Sequence, residues 1–256
     1  MSPLLDARRV EKSFSGINAL SEVSLEVSAG ERVGLIGPNG AGKTTFFNCL
    51  LGVIASDAGS VLLDGVDISG WPVHRRANQG IGRTFQRIEL FSDTTVREHL
   101  LIAERIRRGT GSFLKDVFGL GRARKDEIEA CDQVLDLLGL ADRGDDPIES
   151  LSLGEGRLVE VGRALMTDPQ LLLLDEPSSG LDRQETALLA RTLRTVQAEH
   201  GFAILLVEHD VELVADFTER TYVLDFGRLI ASGHTADVMA DPAVRHAYLG
   251  DMEVPS

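Results

Sequence analysis

The chain lacks any long apolar run: across its 256 residues the hydrophobic stretches stay far below the ~20 residues that a membrane-spanning helix needs. Nor do its first residues, Met1 to Arg9, have the basic-then-apolar order of a secretory signal. Basic residues are scarce. There are 26 Lys and Arg against 40 Asp and Glu, and the net charge is −14. Binding nucleic-acid backbone relies on Lys and Arg, so nucleic acid is excluded as a main partner. Docking on an anionic leaflet through a basic patch is excluded on the same ground; at a membrane, other protein chains would have to hold this one. Cysteine is scarce too: Cys49 and Cys131 have no metal-type spacing and read as packed side chains in a reducing compartment. No repeat, low-complexity tract or linker interrupts the sequence. The remaining balance, 43% hydrophobic and 26% charged, is that of an ordinary globular protein with a large core.

Against that background one stretch is informative. Gly37, Pro38, Asn39, Gly40, Ala41, Gly42, Lys43 and Thr44 fit the phosphate-binding pattern G-x-x-x-x-G-K-[ST]. Before it, residues 31–36 read as a buried strand; after it, residues 45–51, beginning at Thr45, read as a helix that stops near Gly52. Strand, glycine-rich loop and helix start together make a nest of backbone N–H groups. The glycines permit positive φ and let the backbone approach phosphate oxygens. Lys43 is expected to reach the β- and γ-phosphates, with no packing role in the nucleotide-free protein, and the Thr44 hydroxyl to take magnesium.

A second stretch chooses among nucleotide enzymes. Leu151 to Arg157 open a helix running to about Met166; Asp168-Pro169-Gln170 break it. Leu171 to Leu174 then lead into Asp175-Glu176-Pro177, a central parallel strand delivering two acids at its C-terminal edge. Asp175 suits a magnesium ligand. Glu176, one residue on, can polarise a water attacking the γ-phosphate. An acidic pair could instead cap a turn, but the leucines would then bury charge for no reason. Ser178-Ser179-Gly180-Leu181-Asp182 follow, and a further strand at 202–207 ends in Glu208-His209-Asp210.

The rest of the chain sorts around these motifs. Residues 4–14 and 19–28 alternate as an antiparallel pair, 61–65 form a strand and turn, 72–80 a short helix, and 81–86 return to the sheet. From Thr94 to about Leu140 the pattern is helical, with a glycine-rich break at 109–121; the basic patch at 122–125 reads as a solvated helix start. Residues 222–231 form a hairpin about Phe226-Gly227.

With six ordered motifs in place, the chain resembles the ATP-binding cassette (ABC) ATPases over most of its length. The resemblance implies an α/β fold: a P-loop NTPase (RecA-like) core with an antiparallel β subdomain and an inserted helical subdomain. One domain is expected over 4–252, with the helical insert at about 89–156 and tail helices at about 234–250. By resemblance Gln86 senses magnesium and water, His209 bonds the γ-phosphate, and Phe14 stacks on adenine. The signature of the family falls at 151–157, where Ser152, Gly154 and Glu155 are assigned to the nucleotide held by a second, head-to-tail cassette; Asp182 is assigned to nucleotide binding. Here the chain departs from the common Leu-Ser-Gly-Gly-Gln form at Leu153 and Glu155, and the carboxylate near triphosphate is expected to carry a cost, partly offset by the helix dipole. Residues 80–86, 207–210 and 241–250 are similar to the branched-chain amino acid importers, specifically their longer ATPase subunit.

That likeness implies ATP and Mg²⁺ as cofactors, and two membrane-spanning permease subunits, a second ATPase and an extracytoplasmic solute-binding protein as partners, without nucleic acid. It implies a peripheral location on the cytoplasmic face of the inner membrane. Arg87, Ile88, Glu89, Leu90 and Phe91 suit a socket for a permease helix. Two alternatives stay open: the ATPase of a lipid or lipopolysaccharide exporter, and a soluble ABC ATPase without a permease.

Overall fold

The computed structural model describes residues 2–84, 94–108 and 123–249. Strands β1 (Leu5–Phe14) and β2 (Ile17–Val27) form an antiparallel pair. β4 (Ala58–Leu63) adds to the other edge of β1, and β5 (Val66–Asp67) to β4, across the Asp64-Gly65 turn. The order is β2-β1-β4-β5, the expected antiparallel subdomain.

The second sheet holds β3 (Arg32–Ile36), β6 (Ile81–Arg83), β7 (Leu171–Asp175), β8 (Ala203–Val207), β9 (Arg220–Asp225) and β10 (Arg228–His234). Its order is β10-β9-β3-β8-β7-β6, parallel except for the β9–β10 hairpin. β7 and β8 are buried at every position. Side chains alternate across a strand, so Leu171 and Leu173 join one core while Leu172 and Leu174 join the other. A strand with two buried faces has to read as an unbroken apolar run, which is why four leucines stand together.

Helix α1 (Lys43–Leu51) contributes Phe46, Phe47, Leu50 and Leu51 to the core that also holds both sheets' facing side chains. Its C-terminal end is held in a way the sequence did not announce. Arg76, on the short helix α2 (Val73–Asn78), is only 2% exposed. Its Nη1 donates to the Cys49 and Leu50 carbonyls at 2.9 and 2.6 Å, its Nη2 to Ser69 O at 2.8 Å and its Nε to Trp71 O at 3.0 Å. The last carbonyls of a helix lack partners within it and carry partial negative charge; the guanidinium answers both needs. Burial lowers its pKa.

Helices α3 (Val96–Arg108), α4 (Lys125–Leu137) and α5 (Leu153–Leu165) pack through Leu100, Cys131, Leu135 and Leu158. Both cysteines are free and buried. α5 runs unbroken through position 156 and into the sheet's flank. Helices α6 (Arg183–His200), α7 (Val211–Phe217), α8 (Thr235–Ala240) and α9 (Pro242–Leu249) complete the described chain. Among the described residues no helix is long and apolar enough to cross a membrane.

Candidate active site

The loop between β3 and α1 is shaped by glycines where nothing else fits. Gly37 and Gly42 sit at φ 154° and 102°. A Cβ on Gly37 would run into the Leu224 carbonyl, and one on Gly42 would lie 2.7 Å from Ala19 O. Gly42 is also the N-cap of α1 and offers no side chain to its first turn, which contains no acid. The first N–H groups of that helix therefore face outward with the positive end of its dipole, an anion site.

Beside them opens a cleft of about 380 Å³, lined by Asn39 to Thr45, by Glu176, by Ile17 to Ala19 and by Phe226 and Gly227. The expected phosphate loop and the expected base thus share one cavity. Lys43 is buried within it, and its Nζ donates to Gly37 O at 2.6 Å and Pro38 O at 3.1 Å. That corrects one expectation: Lys43 is a structural tie across the loop, because a buried ammonium must find acceptors. Burial lowers its pKa, opposed by Glu176, Asp175 and Glu208.

Asp175 ends β7 at 8% exposure. Burial, then repulsion from Glu176 and Glu208, raises its pKa to about 6, with Lys43 pulling the other way. Crowded carboxylates against one lysine leave an excess of negative charge, which suits a divalent cation. Among the described residues no cluster of three or more His, Cys, Asp or Glu could hold a metal by itself. Magnesium bound through one carboxylate, a hydroxyl and nucleotide phosphates needs no such cluster.

The raised pKa has a sign. Asp175 favours its proton in the fold, so its contribution to stability is fullest below the unfolded carboxyl range and is lost as pH rises through about 6. Asp175→Asn removes the buried charge. In the nucleotide-free protein it should raise the melting temperature by about 2–4 °C near pH 7.5 and by much less near pH 4.5, while weakening magnesium-dependent activity. A variant that melts no higher than the parent at the upper pH would refute the charge argument.

Glu176 follows Asp175 at φ +46°, a left-handed conformation unusual for a residue with a side chain. Its N–H bonds Val207 O at 2.8 Å, extending the ladder one residue beyond β7. His209 lies at the end of the neighbouring strand, as expected, but its side chain is more than half exposed. It lines another cleft with Leu181, Arg183 and Glu212 rather than the phosphate-loop cavity. Gln86 falls outside the described residues, as do Arg87 to Phe91.

Phe14 ends β1 opposite Ile17, a cleft residue, yet is not itself among the lining residues. Lys12 Nζ sits 5.4 Å from its ring centroid. The aromatic that does line the cavity is Phe226, 85% exposed at the tip of the β9–β10 hairpin. Phe226 and Gly227 both have positive φ, the geometry of a tight two-residue hairpin turn. The turn is legible in the sequence; the reach of its ring into the cavity is not.

The signature segment caps α5. Ser152 Oγ accepts the Glu155 N–H at 3.2 Å, and Glu155 Oε2 accepts the Ser152 N–H at 2.8 Å. This reciprocal pair is a capping box. Glu155, which departs from the family's glutamine, is thus turned back onto its own helix start, with Arg143 Nε at 3.4 Å. Asp182 does the same for α6, accepting from Gln184 and Glu185 N–H at 2.7 and 2.9 Å. Glu185 joins the two starts: one oxygen accepts Gly154 N–H at 3.3 Å, the other Asp182 N–H at 3.1 Å. The segment is not part of the chain's own phosphate-loop cavity.

Comparison with known proteins follows this geometry. Residues 20–179 match the family described as ABC transporter, and residues 228–254 the one described as branched-chain amino acid ATP-binding cassette transporter. The chain is 37% identical over 251 residues to the high-affinity branched-chain amino acid transport ATP-binding protein LivG of Escherichia coli strain K12, covering 97% of this chain and 98% of that protein. It is 34% identical to the lipopolysaccharide export system ATP-binding protein LptB of the same strain, covering 96% and 97%. Among solved structures it is similar to the ADP conformation of MJ1267, an ATP-binding cassette of an ABC transporter. There the TM-score is 0.88 at 31% identity, covering 98% of this chain and all of that one.

Proposed function

We propose, because this chain belongs to the ABC transporter family of ATPases, that it hydrolyses ATP to energise import of branched-chain amino acids or a related amide or carboxylate. The observation that carries the choice of cargo class is the tail: residues 228–254 match the branched-chain amino acid family in addition to the general cassette. LptB is somewhat less similar than LivG.

In this reading residues 4–252 are one cassette, with 89–156 as its helical insert and 234–250 as tail helices. The loop from Gly37 to Thr45 cradles the triphosphate, with Lys43 released from its carbonyls to the β- and γ-phosphates. Thr44, Asp175 and Gln86 would hold magnesium, which neutralises phosphate charge. Glu176 accepts a proton from the attacking water. Phe14 contacts the base, joined by Phe226 at the cavity mouth. His209, turned outward here, bonds the γ-phosphate once nucleotide is bound. Ser152, Gly154, Glu155 and Asp182 face the nucleotide of a second cassette arranged head to tail. One chain cannot aim both α5 and its own phosphate loop at a single phosphate.

The partners are two permeases, that second cassette and an extracytoplasmic binding protein, and the protein sits peripherally on the cytoplasmic face of the inner membrane. Support for permease docking comes from a groove of about 210 Å³ lined by Ala77, Ile81, Ile102 and Ile106 and also by Arg83, Glu160 and Arg163. It lies between the sheet edge at β6 and helix α3. Ile106, 63% exposed, leaves an aliphatic surface at the mouth of this groove.

The test joins function and docking. Cells lacking the chain should lose uptake of radiolabelled leucine and regain it with the parent. With Ala77→Asp and Ile106→Asp together, ATP binding by the isolated subunit should persist, while co-purification with permease and leucine uptake fall about tenfold or more. Full uptake in the variant would refute the groove. Unchanged leucine uptake on deletion, with defective lipopolysaccharide export, would refute the import reading.

A further inference from the structure

Glu208 is a charged side chain in a place that charge avoids. It follows β8 with no exposed surface at all. A carboxylate is kept in such a place only when its oxygens are fully engaged. Its two oxygens reach two different loops. Oε1 accepts the Ser178 N–H at 2.9 Å, in the turn that follows Glu176. Oε2 accepts the His209 N–H at 3.1 Å, with the Asp210 N–H at 3.5 Å.

The first of these bonds matters because of what Glu176 has to do. A left-handed backbone at a residue with a side chain persists only where its surroundings hold it. Glu176 N–H to Val207 O at 2.8 Å and Ser179 N–H to Glu176 O at 3.0 Å are backbone bonds that any side chain permits. The bond from Ser178 depends on Glu208 alone. We propose that Glu208 is a positioning residue for hydrolysis: its buried carboxylate ties the Glu176 turn and the His209 loop to one point, so the two loops keep register about the reacting phosphate. This rests on the reading of Glu176 as the group that activates water and of His209 as the group that reaches the γ-phosphate once nucleotide is bound.

The chemistry demands a carboxylate. Glutamine has the same shape but only one acceptor, and its amide donor would face an N–H donor. Glu208→Gln must therefore release one loop. The expected result is a kcat for ATP lowered by about ten- to a hundredfold, with KM and affinity for a non-hydrolysable ATP analogue within about twofold of the parent. A role in folding alone would lower the melting temperature without separating kcat from KM.

Glu176→Gln, measured beside it, separates the two claims. If that variant stops hydrolysis while Glu208→Gln keeps parental kcat, the positioning role is overturned and water activation by Glu176 stands. If neither slows hydrolysis, both fall. Should Glu208→Gln not fold, amide hydrogen exchange on the unaltered protein decides. The Ser178 and His209 amides should be protected although both lie in loops; exchange as fast as at Gly180 overturns the tie.

Discussion

Glu176→Gln should leave a protein that binds ATP and hardly hydrolyses it. The side chain lines the same cavity as Lys43 and Thr44, so it stands among the groups that would hold the phosphates. Glutamine keeps its length and its place after β7 but cannot accept a proton. Losing a positioned base lowers rate by roughly two or more orders of magnitude. Binding should be kept, since the loop N–H groups and Lys43 are untouched, and it should even gain from the removal of one negative charge near the triphosphate. ATP-loaded subunits should then accumulate as a closed pair, seen as earlier elution in size-exclusion chromatography with ATP and magnesium. Hydrolysis at the parental rate would place the base elsewhere.

Lys43→Ala should fail earlier, at binding. Its ammonium is the cation buried in the phosphate-loop cavity. A charge-assisted hydrogen bond contributes about 1.5–3 kcal/mol, so losing contacts to two phosphates should weaken ATP binding by about a hundredfold or more. The structure adds a second effect. Lys43 ties Gly37 O to Pro38 O and offsets the charge of Asp175, Glu176 and Glu208. The alanine variant should therefore lose stability in the nucleotide-free state, by about 1–3 kcal/mol if the carbonyls stay buried. Titration with a fluorescent nucleotide and thermal unfolding check the two effects separately. Parental affinity would sink the phosphate assignment; parental stability would mean that water replaces the ammonium on the loop.

The contrast between these residues and others shows what a sequence can carry. The phosphate loop and the β7 carboxylates were legible because each is a contiguous pattern whose chemistry requires its neighbours: glycines for backbone approach, leucines for a strand with two buried faces. Positions of side chains that depend on distant loops were not. His209 occupies the expected strand end yet turns away from the cavity, and Phe226 reaches it from a hairpin remote in sequence from Phe14. Lys43 bonding its own loop has no linear pattern at all. Glu155 is a different case, since Ser-x-x-Glu before a helix is the spacing of a capping box. The signal was present, and likeness to a family motif made it read as a departure. Arg76 gave no signal, because an arginine on a short helix ordinarily points to water.

That arginine has a mechanical consequence. α1 begins at the phosphate loop and ends on the buried guanidinium of Arg76, which is also bonded to Ser69 and Trp71 beyond β5. A helix held at its far end to a neighbouring part of the fold resists displacement along its axis, because sliding would break charge-assisted bonds to its last carbonyls. The starts of α5 and α6 are held differently, joined to each other by Glu185 rather than to α1.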